Sequence, residues 1–292
     1  MLLSTGVELD CPPRFGTPRN YDRPTYGAEV GEIAARLGQP LMPWQQYVAD
    51  VALEHVDGRL IYTEVDLSVM RRQGKTSLVR PLLVWRSRRM ATILGAPQHC
   101  AYTAQTGKDA RRKWEEDQVG PIDRSVYGPL GRARLPGKYG KVKFDNNDPG
   151  IFWKSGSSIR PVAPTETAGH GTDADLAVID EAFAHADDRV EQAFVPAMLT
   201  RTSPQLWVMS AAGTEKSLYW WRKVQALRAM CESGNYSPTV AGFEWSIADD
   251  EDYTDPEVWW RRLPALGHTV TEQAIAAQLE NCLLYTSDAA DE

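Results

Sequence analysis

Arg71-Arg72-Gln73-Gly74-Lys75-Thr76 sits between two different periodicities, and this junction restricts the fold more than any other stretch of the chain. Before it, over 61–69, Ile61, Thr63, Val65, Leu67 and Val69 alternate with Tyr62, Glu64, Asp66 and Ser68, the period of a strand. After it, a helical segment runs towards Leu94 and closes at Gly95 and Pro97. A strand that turns through Gly-Lys-Thr into a helix is the setting of a phosphate-binding loop. Amide N–H groups at the helix start face an anion, a lysine neutralises phosphate oxygens, and a hydroxyl reaches a magnesium ion. The full pattern has Gly at both ends of a four-residue gap, and Val69 stands at the first of these places, so the loop is a deviant form. Pro81 lies inside the helical segment; it deletes one backbone hydrogen bond and predicts a bend.

A second element supports the first. Leu176-Ala177-Val178-Ile179 is a short apolar run of the kind buried on both faces of a parallel sheet, and Asp180 and Glu181 follow it directly. A carboxylate at such a strand end holds Mg²⁺ through its water shell, and its neighbour can polarise an attacking water. Taken singly, each element has a plainer reading, a common triplet or an acidic helix start. Together, in this order, they point to a nucleotide hydrolase. Further strands are expected at 100–104 and 205–209, with helices after a Thr106–Asp109 cap, at 190–199 and at 217–230. Short strands at 141–144, 151–153 and 158–162, separated by turn residues, read as an antiparallel meander. The repeated strand–helix pattern predicts an α/β fold, a doubly wound, mainly parallel sheet with an antiparallel edge insertion.

At 292 residues, 42% hydrophobic and with ten Trp, the chain can bury one large core and carry an appendage. Residues 1–42, rich in Pro and Gly, are expected to form an N-terminal arm with a short helix at 29–37, wrapping the domain or a neighbour. Residues 43–235 form the nucleotide-binding domain, opened by a helix from Pro43. Residues 236–281 form a linker or the start of a following subdomain, with helices at Pro256–Arg262 and 271–279. Residues 282–292 carry no cap or periodicity and read more like a translated sequencing adapter than natural protein. No apolar run approaches the roughly 20 residues needed to cross a bilayer. The net charge of −7 argues against coating nucleic acid through overall positive charge. Cys11, Cys100, Cys231 and Cys282 lie far apart with no CxxC pair, so neither a zinc site nor a disulfide framework is expected. Arg86, Arg88 and Arg89 read as the solvated end of a helix, and Asp249, Asp250, Glu251 and Asp252 as a hydrophilic linker.

Over about 13–279 the sequence resembles the large terminase subunits of tailed phages, those of actinobacterial phages in particular. Pro43-Trp44-Gln45 resembles their adenine-reading element, and Arg71 matches the Arg they carry four residues before the loop lysine, here Lys75. Val69 in place of the first Gly is common among them. Tyr102-Thr103-Ala104-Gln105-Thr106 resembles the segment after their second strand, and His170-Gly171 before the acidic strand also fits. Ser210-Ala211-Ala212-Gly213-Thr214 stands where the family has its coupling motif. The plainer readings are a core aromatic for Trp44, a surface amide for Gln45, a Gly-containing turn for 210–214, and for Arg71 a pairing with Asp180 or Glu181 when nucleotide is absent.

The resemblance implies a P-loop NTPase sheet of RecA-like type with an additional strand and a catalytic glutamate. ATP and Mg²⁺ are the implied cofactors, with Gln45, Arg71, Arg72, Gln73, Gly74, Lys75, Thr76 and Ser77 around ATP and with Thr76 and Asp180 on the metal. Glu181, Arg71 and Lys75 would act in hydrolysis, and Ser210, Ala211 and Ala212 would pass it on. Implied partners are double-stranded DNA, a portal protein and a small terminase subunit. A homo-oligomeric ring is implied too, at the portal vertex of a prohead in the host cytoplasm, with Arg111 and Arg112 as candidates for an Arg given to a neighbour. The nuclease domain of ribonuclease H type found in such proteins is not expected within this chain. Two rivals keep the nucleotide site: a helicase-like DNA-dependent ATPase, and a nucleotide-gated assembly factor without turnover.

Overall fold

The computed structural model describes residues 3–132, 137–145, 148–165, 173–213 and 217–288, with 281–288 as backbone alone. The N-terminal arm carries β1 (Phe15–Gly16) and α1 (Gly27–Arg36). Next come α2 (Pro43–Ala52), with Pro at its first turn, and the small hairpin β2 (His55–Val56) and β3 (Arg59–Leu60). β4 (Glu64–Ser68) leads through the Gly-Lys-Thr loop into α3 (Lys75–Val84). That helix contains Pro81, widens one turn later into a π-helical segment, Trp85–Met90, and ends as α4 (Ala91–Leu94) at Gly95.

β5 (His99–Thr103), α5 (Gly107–Lys113) and α6 (Gly120–Asp123) follow. The Thr106 hydroxyl accepts from the Asp109 N–H at 3.1 Å and caps α5 as its sequence suggests. The edge strands are β6 (Gly131–Arg132), β7 (Gly140–Lys143), β8 (Gly150–Trp153) and β9 (Ser158–Pro161). The chain then forms β10 (Leu176–Asp180), α7 (Arg189–Met198), β11 (Gln205–Ser210), α8 (Leu218–Ser233) and β12 (Val240–Glu244), before α9 (Pro256–Arg262) and α10 (Glu272–Asp288).

Ten of the strands form one sheet in the order β1-β12-β4-β11-β10-β5-β9-β8-β7-β6. β12, β4, β11, β10, β5 and β9 are mutually parallel, while β7 and β8 pair antiparallel at the edge, the insertion expected from the turn residues. From β4 the chain crosses past β11 and β10 to β5, whereas from β11 it crosses back over β4 to β12. Right-handed crossovers in opposite directions place α3 and α8 on opposite faces. The packing agrees: Val178, Trp207 and Met209 lie in the core with α2 and α3, and Ala177, Ile179, Leu206 and Val208 in the core with α7 and α8. Each of the Val, Leu, Ile and Met side chains among them contributes roughly 1.5–3 kcal/mol on burial. Both faces of β10 and β11 are covered, which is why their sequences are continuously apolar rather than alternating.

Two expectations change, and the arm takes one of the two places open to it. The segment assigned to 236–281 begins too early, because β12 is a strand of the main sheet beside β4. Gly242 hid it: Gly weakens a strand pattern, but a Cβ there would meet Leu227 Cδ1 of α8 at 2.7 Å. The arm wraps its own domain, with Leu3, Leu9 and Cys11 in the core, β1 paired with β12, and the Trp245 indole donating to the Cys11 carbonyl at 3.0 Å. Of the three arginines read as a solvated helix end, only Arg89 is exposed. Arg86 is fully buried and donates to Gln98 Oε1 at 3.0 Å and the Ser203 carbonyl at 2.7 Å, while Arg88 packs on the rings of Tyr127, Tyr139 and Trp153.

Candidate active site

The loop after β4 is built for a tight turn. Arg72 and Gly74 have φ of 62° and 96°, in the left-handed region, and Gly74 caps α3. A Cβ on Gly74 would lie 2.5 Å from Met42 Cε and 2.9 Å from Gln45 Nε2, so two neighbours as well as the backbone select glycine. Gln45, on α2, is buried against the back of this turn. Its Nε2 donates to the Gly74 carbonyl at 2.7 Å and to Ser77 Oγ at 2.8 Å, and its Oε1 accepts from the Met42 N–H at 2.8 Å. Both amide hydrogens are therefore spent on the loop, and neither the base-reading role nor the surface amide describes this conformation. Trp44 beside it is fully buried against Trp245, as a core aromatic.

Ser77 Oγ donates to the Gly74 carbonyl at 2.8 Å, so it shapes the turn from within. Gln73 also points away from the phosphate side: it is buried, and its Oε1 accepts from the Ala265 N–H at 2.9 Å. Met70 packs on a small cluster with Trp259, Leu263 and Leu266. The loop is thus tied to the segment that carries α9 and α10. Lys75 Nζ donates to the Val69 carbonyl at 3.1 Å and the Met70 carbonyl at 3.4 Å, folded over its own loop. Thr76, in the first turn of α3, is half-buried.

The acids come from β10. β11 lies between β4 and β10, all parallel, with Ser68 beside Ser210 and Asp180 beside Met209, so loop and acids leave the same edge of the sheet with one strand between them. This is the additional-strand arrangement. Asp180 is buried; its Oδ1 accepts from the Glu181 N–H at 2.9 Å, and its Oδ2 accepts from the Tyr102 hydroxyl at 2.9 Å. Glu181 adopts φ 60° and ψ 43°, a left-handed conformation that costs a non-glycine residue about 1–3 kcal/mol. Burial pulls the Lys75 pKa below the usual lysine value, with Asp180 opposing, Lys113 adding, Glu181 opposing and Arg71 adding; these groups share one neighbourhood.

Lys113, at the end of α5, bridges the acids, with Nζ 3.2 Å from Asp180 Oδ2 and 2.9 Å from Glu181 Oε1. Burial opposes its charge, but the two carboxylates outweigh that and hold its pKa above the usual lysine value. Lys113 thus stands where the alternative reading put Arg71. Arg71 is exposed and stacks over the Phe183 ring at 5.3 Å, on the turn just after Glu181. Arg72 is exposed. Arg111 is held by Glu115 and the Phe144 and Asp145 carbonyls, and Arg112 pairs with Asp109 and Glu116.

Ser210 joins both halves of the site. Its carbonyl accepts from the Val69 N–H at 3.1 Å, at the start of the loop, and its hydroxyl accepts from the Phe183 N–H at 3.0 Å, beyond Glu181. Ala211 is buried beside it and Ala212 is exposed. His170, Gly171 and Thr214 lie outside the described residues. Lys113 and Tyr102 are the site residues whose roles sequence reasoning missed. Nothing local marks Lys113, and Tyr102 carries a weak signal as a polar-tipped residue on an otherwise small and buried strand.

Comparison with known proteins bears on the fold. No protein-family model matches the sequence. A stretch of 110 residues is 24% identical to Protein YmfN of Escherichia coli strain K12, covering 38% of this chain and 24% of that protein. The crystal structure of the HK97 bacteriophage large terminase superposes with a TM-score of 0.69 over 89% of this chain and 52% of that one, at 19% identity. The fold is that of a phage large terminase. The large terminase of a thermophilic bacteriophage, solved in complex with ADP, overlaps with a TM-score of 0.42, at 17% identity, over 62% of this chain and 40% of that one. That likeness is too partial to support a comparison of sites. The chain spans about half the length of the HK97 protein and about a quarter of YmfN.

Proposed function

We propose that this chain is the ATPase part of a phage large terminase, which hydrolyses ATP to drive double-stranded DNA into a prohead. The observation that carries the reading is the exit of a phosphate loop and an Asp-Glu pair from one edge of a parallel sheet, on either side of a single strand. In open α/β sheets ligands bind outside the carboxyl ends of the strands, where crossovers diverge, and β4 and β11 meet that condition.

The acid pair fits a magnesium ion, since it already holds one cation, the Lys113 ammonium, between two carboxylates. Asp180 and the Thr76 hydroxyl would hold the metal, which when bound would neutralise phosphate charge. Lys75 would exchange its loop carbonyls for phosphate oxygens, helped by burial that favours giving its charge a strong partner. Gln45 and Ser77 would keep the Gly74 carbonyl turned back, leaving the amide N–H groups of the α3 start facing the anion. Gln73 would hold the loop to the segment behind it, while Arg72 lies towards solvent. Glu181 would accept a proton from the attacking water. Arg71, beside it on Phe183, would stabilise charge developing on the terminal phosphate.

The Ser210 contacts would carry a change at either loop to the other, and Ala211 and Ala212 onward to α8. DNA, a portal protein and a small terminase subunit are the proposed partners, in a ring of copies at the portal vertex in the host cytoplasm. Among the described residues no helix is long and apolar enough to cross a membrane. The test is Glu181→Gln: ATP affinity unchanged and steady-state phosphate release slower by about a hundredfold or more, the scale of a lost general base. Normal turnover in that variant would refute the assignment of Glu181.

A further inference from the structure

Asp180 accepts three hydrogen bonds, two of them on Oδ2, which leaves that oxygen filled. Oδ1 accepts from the Glu181 N–H, while Oδ2 accepts from the Tyr102 hydroxyl at 2.9 Å and the Lys113 ammonium at 3.2 Å. Two of these donors are fixed: one belongs to the adjoining peptide, and Tyr102 is fully buried in the sheet. Lys113 differs. Its side chain is 17% exposed, its reach to the acids comes from a flexible stem, and it is the group that also neutralises Glu181 at 2.9 Å.

We infer that Lys113 is the resident counter-ion of the acid pair, and that a magnesium ion arriving with nucleotide displaces its ammonium, a like charge, from between Asp180 and Glu181. The inference rests on the nucleotide reading of the site. The backbone of α5 need not move for this exchange, because Arg111 anchors the helix on the Phe144 and Asp145 carbonyls of the edge insertion and the buried Trp114 indole packs against the Phe144 ring. Only the Lys113 stem has to swing. Without the metal the ammonium keeps two carboxylates from repelling each other across a short gap. With the metal it would be a like charge at the wrong place. Lys113 would then set the magnesium concentration at which the site closes on nucleotide, acting as a positioning residue rather than touching the phosphates.

The experiment measures binding of a fluorescent, slowly hydrolysed ATP analogue to the whole chain as magnesium is titrated, for the unaltered protein, Lys113→Met, Lys113→Gln and Lys113→Arg. Circular dichroism checks that each variant is folded. Removing the ammonium should lower the half-saturating magnesium concentration by about tenfold or more, the scale of one charge-assisted hydrogen bond. Lys113→Gln should act in the same direction as Lys113→Met, and Lys113→Arg should restore the original requirement. Binding of the analogue with magnesium chelated should be the same in all four. A requirement that stays equal or rises in the Met and Gln variants overturns the displacement, since the ammonium would then be supporting the metal site. If the unaltered protein binds the analogue without any dependence on magnesium, the nucleotide–metal reading itself fails, a result separable from the first.

Discussion

Gln45 separates two accounts of how this protein handles a nucleotide. Its amide makes three hydrogen bonds inside the protein, to the Met42 N–H, the Gly74 carbonyl and Ser77 Oγ, and it is buried. Gln45→Leu keeps the shape and removes all three. The Met42 N–H is then left buried without an acceptor, a cost of about 1–3 kcal/mol. The Gly74 carbonyl keeps the Ser77 hydroxyl as a donor at 2.8 Å, so the loss there is a single bond of roughly 0.5–1.5 kcal/mol. A leucine no longer has an amide to desolvate, which offsets part of the total and leaves about 2–3 kcal/mol. At about 2–4 °C per kcal/mol for a chain of this size, the melting temperature without nucleotide should fall by roughly 4–12 °C. Affinity for ATP and GTP should fall by the same factor, because the loss is of loop shape rather than of a contact to the base. Thermal melts and competition binding with the two nucleotides measure both. An unchanged melting temperature together with loss of a preference for ATP would refute the reasoning and return Gln45 to the base edge.

Two further changes probe the loops. Gly74→Ala forces a side chain into a left-handed position and against Met42 and Gln45, and should cost about 1–2 kcal/mol for the backbone with about 1–3 kcal/mol for the crowding, seen by urea unfolding, with weaker nucleotide binding. Ser210→Ala leaves the Phe183 N–H without its hydroxyl acceptor; stability should drop by about 1–3 kcal/mol, and ATP turnover should lose its response to DNA while nucleotide affinity changes little, measured by phosphate release with and without duplex DNA.

What could be read from sequence was local and contiguous. The strand, Gly-Lys-Thr and helix order and the apolar run ending in Asp180-Glu181 each occupy a few adjacent residues whose period and order announce a parallel sheet, whereas the place of β11 between β4 and β10 is given by the structure. The missed features depend on distant partners. Lys113 meets Asp180 only because β5 lies beside β10 and α5 returns over the strand ends. Gln45 looks like any helix-surface amide until α2 packs behind the loop. Arg86 follows the rule for cations at a helix end, and it is overruled by the Ser203 carbonyl and Gln98, which the sheet brings to it. β12 was hidden by a glycine that makes room for Leu227.

Everything here turns on Thr76 and the β10 acids serving one ion. Crystals grown with Mn²⁺ and a non-hydrolysable ATP analogue, with anomalous diffraction recorded above the manganese edge, test it directly. A single peak is expected, about 2 Å from the Thr76 hydroxyl and in contact with Asp180 directly or through one water. A peak out of reach of either residue, or separate peaks at the loop and at the acids, would contradict it.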